Sequence, residues 1–273
     1  MLSSDLGVLM ARPLIAALAL PLLCLPQAGH GADLIPHHAF YTLHLGHSSG
    51  TGDVVAASGG MAIEVSETCG AWLTKQRLLL RIVRDEGDDV VTDNNFTSWE
   101  TKDGLRYRFN VRNRLNGSVN EEYRGEARLK PNGGGGTARF TLPKKKDMTL
   151  PKGTLFPSAH VSYVIDSARR NARIIDRIVF DGASEDGPDE TNIVIGEPVP
   201  LEKLPGLDAK LGVPSWPMRW AFFPVDSKSA LPDYELTLRL LDNGVVVDLN
   251  LVYEDFTVGG KISYFEALPR PKC

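Results

Sequence analysis

The chain has 273 residues, of which 42% are hydrophobic and 23% charged, a composition that excludes an intrinsically disordered protein and allows a sizeable core. Its formal net charge of −4 excludes the basic footprint of a nucleic-acid binder. The length suits one β-rich domain or two smaller ones, and a single domain over 32–273 is expected once the leader is set aside.

The first element is that leader. Arg12 precedes an apolar run from Leu14 to Leu25 that is too short to span a bilayer and breaks at Pro26. This pattern predicts a signal peptide over residues 1–31, cleaved near Gly31 or Ala32, and therefore export to the periplasm. Residues 1–9 contain Asp5 and no cation, so Met10 competes with Met1 as the start. Lipidation at Cys24 is the alternative, but Pro21, Leu22 and Leu23 stand where small residues are wanted. Cleavage removes Arg12 and Asp5 together and leaves the net charge at −4.

The exported chain retains Cys69 and Cys273. In an oxidising compartment they are expected to form one disulfide. Two free buried thiols are the alternative; a redox-catalytic pair is disfavoured because no C-x-x-C is present.

Two-residue alternation then predicts strands over Phe40–Leu45, Val54–Val65, Trp72–Val83, Val90–Trp99 and Leu105–Val111. In the last of these Tyr107, Phe109 and Val111 share one face, opposite Arg106, Arg108 and Arg112. Asp103-Gly104 and Asn116-Gly117 flank it as hairpin turns. Further strands are expected at Gly136–Leu142, Ile174–Asp181, Thr191–Ile195, Met218–Val225, Tyr234–Leu241, Val245–Val258 and Ile262–Ala267. One segment reads differently. Within Pro157–Ala172, Val161, Val164, Ile165 and Ala168 form a stripe, and Ser158 is placed to cap it, which predicts a helix over about 158–171. A helix inside a β meander is expected to pack on, or plug, a curved sheet. The proline-rich stretches near Pro198–Pro205 and Pro214–Pro217 read as loops.

The motifs that could carry chemistry favour bland readings. Gly46-His47-Ser48-Ser49-Gly50 matches G-x-S-x-G, but a strand is expected to follow where a nucleophile elbow needs a helix. His37, His38, His44 and His47 lack the convergent spacing of a zinc site. Gly133–Gly136 leads into a strand instead of a helix N-terminus, so it reads as a hairpin loop and not a phosphate cradle. Lys144–Lys146 reads as solvated surface, with anionic lipid or glycan as its alternative contact. No catalytic residue, metal set or cofactor is therefore expected. Trp72, Trp99, Trp216 and Trp220 are the candidate cavity or interface aromatics, weighed against simple core packing.

Several blocks occur in an order that resembles a known family. They are Cys69 with Trp72, Ser98-Trp99-Glu100-Thr101-Lys102-Asp103-Gly104-Leu105, Leu150-Pro151-Lys152-Gly153-Thr154-Leu155-Phe156-Pro157 with His160, Val179-Phe180-Asp181-Gly182, Trp216-Pro217-Met218-Arg219, and the terminal Cys273. Together they resemble the EipB-like cell envelope integrity family from about Pro36 to the C-terminus. The resemblance implies a mainly β, many-stranded antiparallel, spiral-like broken β-barrel, with a disulfide between Cys69 and Cys273. It also implies a non-enzymatic role in maintaining the envelope of Gram-negative bacteria and a periplasmic partner built from tetratricopeptide repeats. A protein-interaction scaffold is the function expected first. A carrier or sensor of lipid, lipoprotein or cell-wall fragments, using a concave apolar cavity, is the second.

Overall fold

The computed structural model describes residues 32–49, 53–200 and 213–273. The expected leader over 1–31 and Cys24 lie outside the described residues, as does most of the stretch Pro198–Pro205 expected as a loop.

Among the described residues, fourteen strands and one helix follow one another: β1 (His37–Ser48), β2 (Val54–Glu67), β3 (Ala71–Arg84), β4 (Val90–Thr101), β5 (Arg106–Leu115), β6 (Ser118–Leu129), β7 (Gly136–Leu142), β8 (Lys146–Leu150), α1 (Pro157–Arg169), β9 (Ile174–Val179), β10 (Asp189–Ile195), β11 (Ser215–Pro224), β12 (Tyr234–Leu241), β13 (Val246–Val252) and β14 (Phe256–Ala267). All fourteen belong to one antiparallel sheet whose order runs from β8 back to β1, then through β14 to β9. The joint between the two halves is the pairing of β1 with β14, which brings the ends of the described chain side by side.

The sheet is unclosed, and β8 and β9 are its two ends. Near this seam the chain entering α1 makes one parallel bridge, Leu155 with Val179. The Leu155 N–H donates to the Ile178 carbonyl at 2.8 Å, and Phe180 N–H donates to the Leu155 carbonyl at 3.0 Å. A broken barrel is thus stitched at its gap by two main-chain bonds.

Alternation puts one side of each strand inward. The larger core packs Val164, Ile165 and Ala168 of α1 against inward residues of β1–β3 and β9–β14, including Tyr41, Leu80, Ile193 and Leu240. A second core gathers Tyr107, Phe109, Phe140, Phe156 and Phe180 under β5–β8. Its rings stack or meet edge-on, with Tyr107 and Phe156 centroids 4.9 Å apart and Phe109 and Phe140 5.1 Å apart. Gly182, at φ +75°, lies where any side chain would strike the Phe109 ring, within 2.4 Å.

Four expectations need correction. Ser215–Pro217 begins β11, paired with β12, where the stretch near Pro214–Pro217 is expected as a loop. β6 and β8 are strands where none was expected, and the run Val245–Val258 is two strands, β13 and β14, separated by a turn at 253–255. In that turn Tyr253 stacks on Phe256 at 4.6 Å, and Glu254 and Asp255 are exposed. The helix does not begin with Ser158 as its cap: the N-cap is Phe156, which has no side chain able to accept, and Pro157 opens the first turn. The expected hairpin at Asn116-Gly117 is present, with both residues at positive φ.

Candidate interaction surface

One end of the barrel is organised by the disulfide. Thr68–Gly70 turn between β2 and β3, where the Thr68 Oγ1 accepts from the Ala71 N–H at 3.0 Å. Cys69 in this turn is bonded to Cys273, with Cα atoms 5.7 Å apart. The tail reaches it because Leu268 N–H donates to the Pro36 carbonyl at 2.8 Å. Arg270 then pairs with Asp33 at 2.8 Å and donates to the Leu34 carbonyl at 3.0 Å. Beside the bridge, Glu67 forms an ion pair with Lys102, whose ammonium lies 5.6 Å from the centre of the Trp72 ring.

Close to this end sits a buried carboxylate. Glu100 is 2% exposed and accepts from the Ser158 and Ala159 N–H groups at 2.7 and 2.8 Å. It therefore supplies, from β4, the cap that the first turn of α1 lacks locally. Burial pushes its carboxyl up to about 7, opposed by the two backbone hydrogen bonds. A further polar contact fixes the helix. His160 is buried, contacts the Thr191 hydroxyl at 3.2 Å and meets the Trp220 ring edge-on at 5.2 Å. Burial, together with the nearby Arg177 charge, pushes it down to about 4, so it is neutral at physiological pH.

The four tryptophans do not converge. Trp216 and Trp220 point inward into the larger core, 5% and 7% exposed. Trp72 is half-buried at the disulfide end, against the same core. Trp99 faces outward, with the Arg108 guanidinium 5.1 Å from its ring centre. Trp220 Nε1 is buried and has no hydrogen-bond partner among the described residues.

The remaining motifs take their places along the sheet. Ser48 ends β1 and its Oγ donates to the Val54 carbonyl at 3.2 Å, between two strands. His37 is buried and stacks on Phe265, while the outward His38 stands 3.4 Å from Glu64. Gly133–Gly136 lies in the β6–β7 hairpin, with Gly133 and Gly135 at positive φ. Lys146 opens β8, and its ammonium donates to the Glu185 carbonyl at 2.6 Å.

Among the grooves of the outward face, two adjoin each other. The first, of about 510 Å³, lies across β4–β7 and is lined by Trp99, Arg108, Asn110, Arg124, Arg139 and neighbouring residues. The second, of about 460 Å³, lies across β14 and β1–β4 and includes Phe40, Lys75, Arg77 and Tyr264. Thr97 lines both. This arrangement is suited to contact with a large, extended surface. Among the described residues, no group of His, Cys, Asp and Glu is placed to hold a metal ion.

With this geometry in view, comparisons place the chain among known proteins. The family model described as EipB-like matches residues 28–269. The chain is 30% identical over 244 residues to the cell envelope integrity protein EipB of Brucella abortus (strain 2308), covering 86% of this chain and 85% of that protein. It is also similar to the crystal structure of a β-barrel-like protein of a domain of unknown function from Brucella abortus. That match has a TM-score of 0.77 and 26% identity, and covers 87% of this chain and all of the other.

Proposed function

The chain belongs to the EipB-like family, and from that premise we propose that it maintains the integrity of the cell envelope as a non-enzymatic periplasmic scaffold. The observation that carries this reading is the match to a relative named for envelope integrity along 86% of the chain. The fold is compatible with it. A sheet whose inward face is committed to two aromatic and aliphatic cores has its outward face and its seam left for contact with other molecules. The occupant we favour is a periplasmic protein with tetratricopeptide repeats, whose concave helical surface suits an extended, charged β face.

The second reading, a carrier of lipid, lipoprotein or cell-wall fragments, draws on the unpartnered Trp220 Nε1 inside the larger core. It requires inward side chains such as Trp216 and Trp220 to make way for a ligand. The scaffold reading requires no such movement.

Deletion of the gene in the bacterium that carries it is the test. Loss of the protein is expected to reduce survival on an anionic detergent such as deoxycholate by at least tenfold, with growth in plain medium unchanged and survival restored by the full chain. Equal survival of deleted and parental cells across the detergent series would overturn the proposal.

A further inference from the structure

The outward face of β5–β7 holds more positive charge than its own carboxylates balance. Arg106 stands directly opposite Arg128 across β5 and β6, an arrangement that costs stability because like charges face each other. On the same face lie Arg108, Arg124 and Arg139. Arg139 is paired with Asp147 at 2.9 Å and Arg128 with Glu126 at 3.6 Å. Arg108 lies over the Trp99 ring and opposite Glu126, which also lines the groove and is paired with Arg128, and Arg124 donates to the Asn110 amide oxygen at 3.1 Å. Both guanidiniums border the same groove. In a protein of net charge −4, this is a local site for anions.

The groove is not an isolated pit. Cross-strand register sets Tyr264, Phe40, Ala62, Arg77 and Asn95 directly beside one another from β14 to β4. Thr97 then joins this row to the arginine groove. From β14 to β7 the track crosses eight neighbouring strands, roughly 34 Å at about 4.8 Å per step. Its aromatic members are open: Phe40 is 43% and Tyr264 52% exposed. The Phe40 ring lies against Gly60, 2.6 Å from where a side chain there would begin. Gly60 thus leaves the room in which this ring rests on the sheet.

We propose that this track binds an extended anionic glycan, its carboxylates held by Arg108 and Arg124 and its sugar rings resting on Phe40, Tyr264 and Trp99. Charge complementarity selects the anion, and the shape selects the polymer. An acidic polypeptide would need partners for its backbone N–H and C=O groups, and the face of a sheet offers none because the strands already bond to each other. A pyranose ring offers an apolar C–H face to the aromatic side chains, while its hydroxyls can reach Thr97, Asn110 and Thr141 along the groove. This inference stands on the outward face alone and is independent of the scaffold reading.

Calorimetric titration of the full mature, disulfide-bonded chain with hexagalacturonate is the test, with neutral maltohexaose and polyglutamate of matched charge in parallel. Saturable binding of hexagalacturonate is expected, weakened at least tenfold in R108A/R124A and in F40A. The melting temperature of R108A/R124A is expected to stay unchanged, because both side chains are exposed. Binding should also weaken as salt rises. No saturable binding, or equal binding by R108A/R124A, overturns the proposal. Equal affinity for maltohexaose removes the role of charge and overturns it too, and equal affinity for polyglutamate assigns the face to an acidic polypeptide instead.

Discussion

Replacing Cys273 by serine should lower the melting temperature by about 10 °C and reduce the amount of protein that accumulates in the cell. The bond joins residues 204 apart, so it removes a very large loop from the freedom of the unfolded chain. The chain-entropy relation gives on the order of 5 kcal/mol for such a loop. The realised figure is expected nearer 3–4 kcal/mol, the middle of the usual range for disulfides. The native tail has other anchors, Arg270 on Asp33 and Leu268 on Pro36, so the variant should fold with its tail still docked. Cys69→Ser should match it, and the parent treated with reductant should fall to the same temperature. A scanning-calorimetry difference below roughly 2 °C would remove the disulfide from the account of stability.

Glu100→Ala is expected to cost about 3 kcal/mol, read from chemical denaturation at neutral pH. The substitution strips two bonds from the first turn of α1 and leaves the Ser158 and Ala159 N–H groups without their acceptor. It also opens a gap between β4 and the helix. Glu100→Gln keeps the volume and one acceptor, so it should cost less. Its pH dependence is the sharper measurement. Burial raises the Glu100 carboxyl from 4.5 to about 7, so between these values the native state binds a proton that the unfolded chain has released. Stability from this group therefore falls as pH rises from 4.5 to 7, by about 3 kcal/mol in total. Asp181 and Asp189, also raised by burial, contribute with the same sign in both proteins. The difference between parent and Glu100→Gln isolates Glu100. An identical slope in the two would contradict the assignment.

The strands were legible where one face of the sheet is buried and the other wet. β5 is the clearest, because Tyr107, Phe109 and Val111 alternate with arginine and asparagine. β6 was not legible for a reason found only in space. Its inward positions include Gly125, whose side chain would begin 2.6 Å from the Phe109 ring. The ring of one strand takes the volume that an apolar residue of the next would otherwise fill. β8 has five residues, starts in a lysine run and has one fully buried side chain, Leu150, too little for a periodic signal. β13 and β14 merged in the sequence because their turn is bracketed by aromatic residues that stack on each other. The helix was readable from its stripe but its cap was not, since Glu100 lies 58 residues before Ser158 and no local spacing reports such a contact.

The candidate site was legible in parts of very different kinds. The expectation of export, with two cysteines left beyond the leader, was enough to pair Cys69 with Cys273, and the structure has that bond. The tryptophans were singled out by size, which does not encode direction. Strand parity sends Trp216 and Trp220 inward and Trp99 outward. The arginine groove depends on register across β5, β6 and β7, which places Arg106 against Arg128 and Arg108 against Glu126. Register is fixed by pairing of the inward residues and cannot be read from the outward ones.

Gentle cross-linking of the tagged full chain in living cells, followed by mass spectrometry of the captured material, tests the scaffold reading most directly. The expected result is a cross-link between the outward face and a protein of tetratricopeptide repeats, with the intact mass of the oxidised chain carrying no adduct. Recovery of a stoichiometric lipid or lipopeptide on the chain, without a protein partner, would contradict the scaffold and transfer the function to the interior of the barrel.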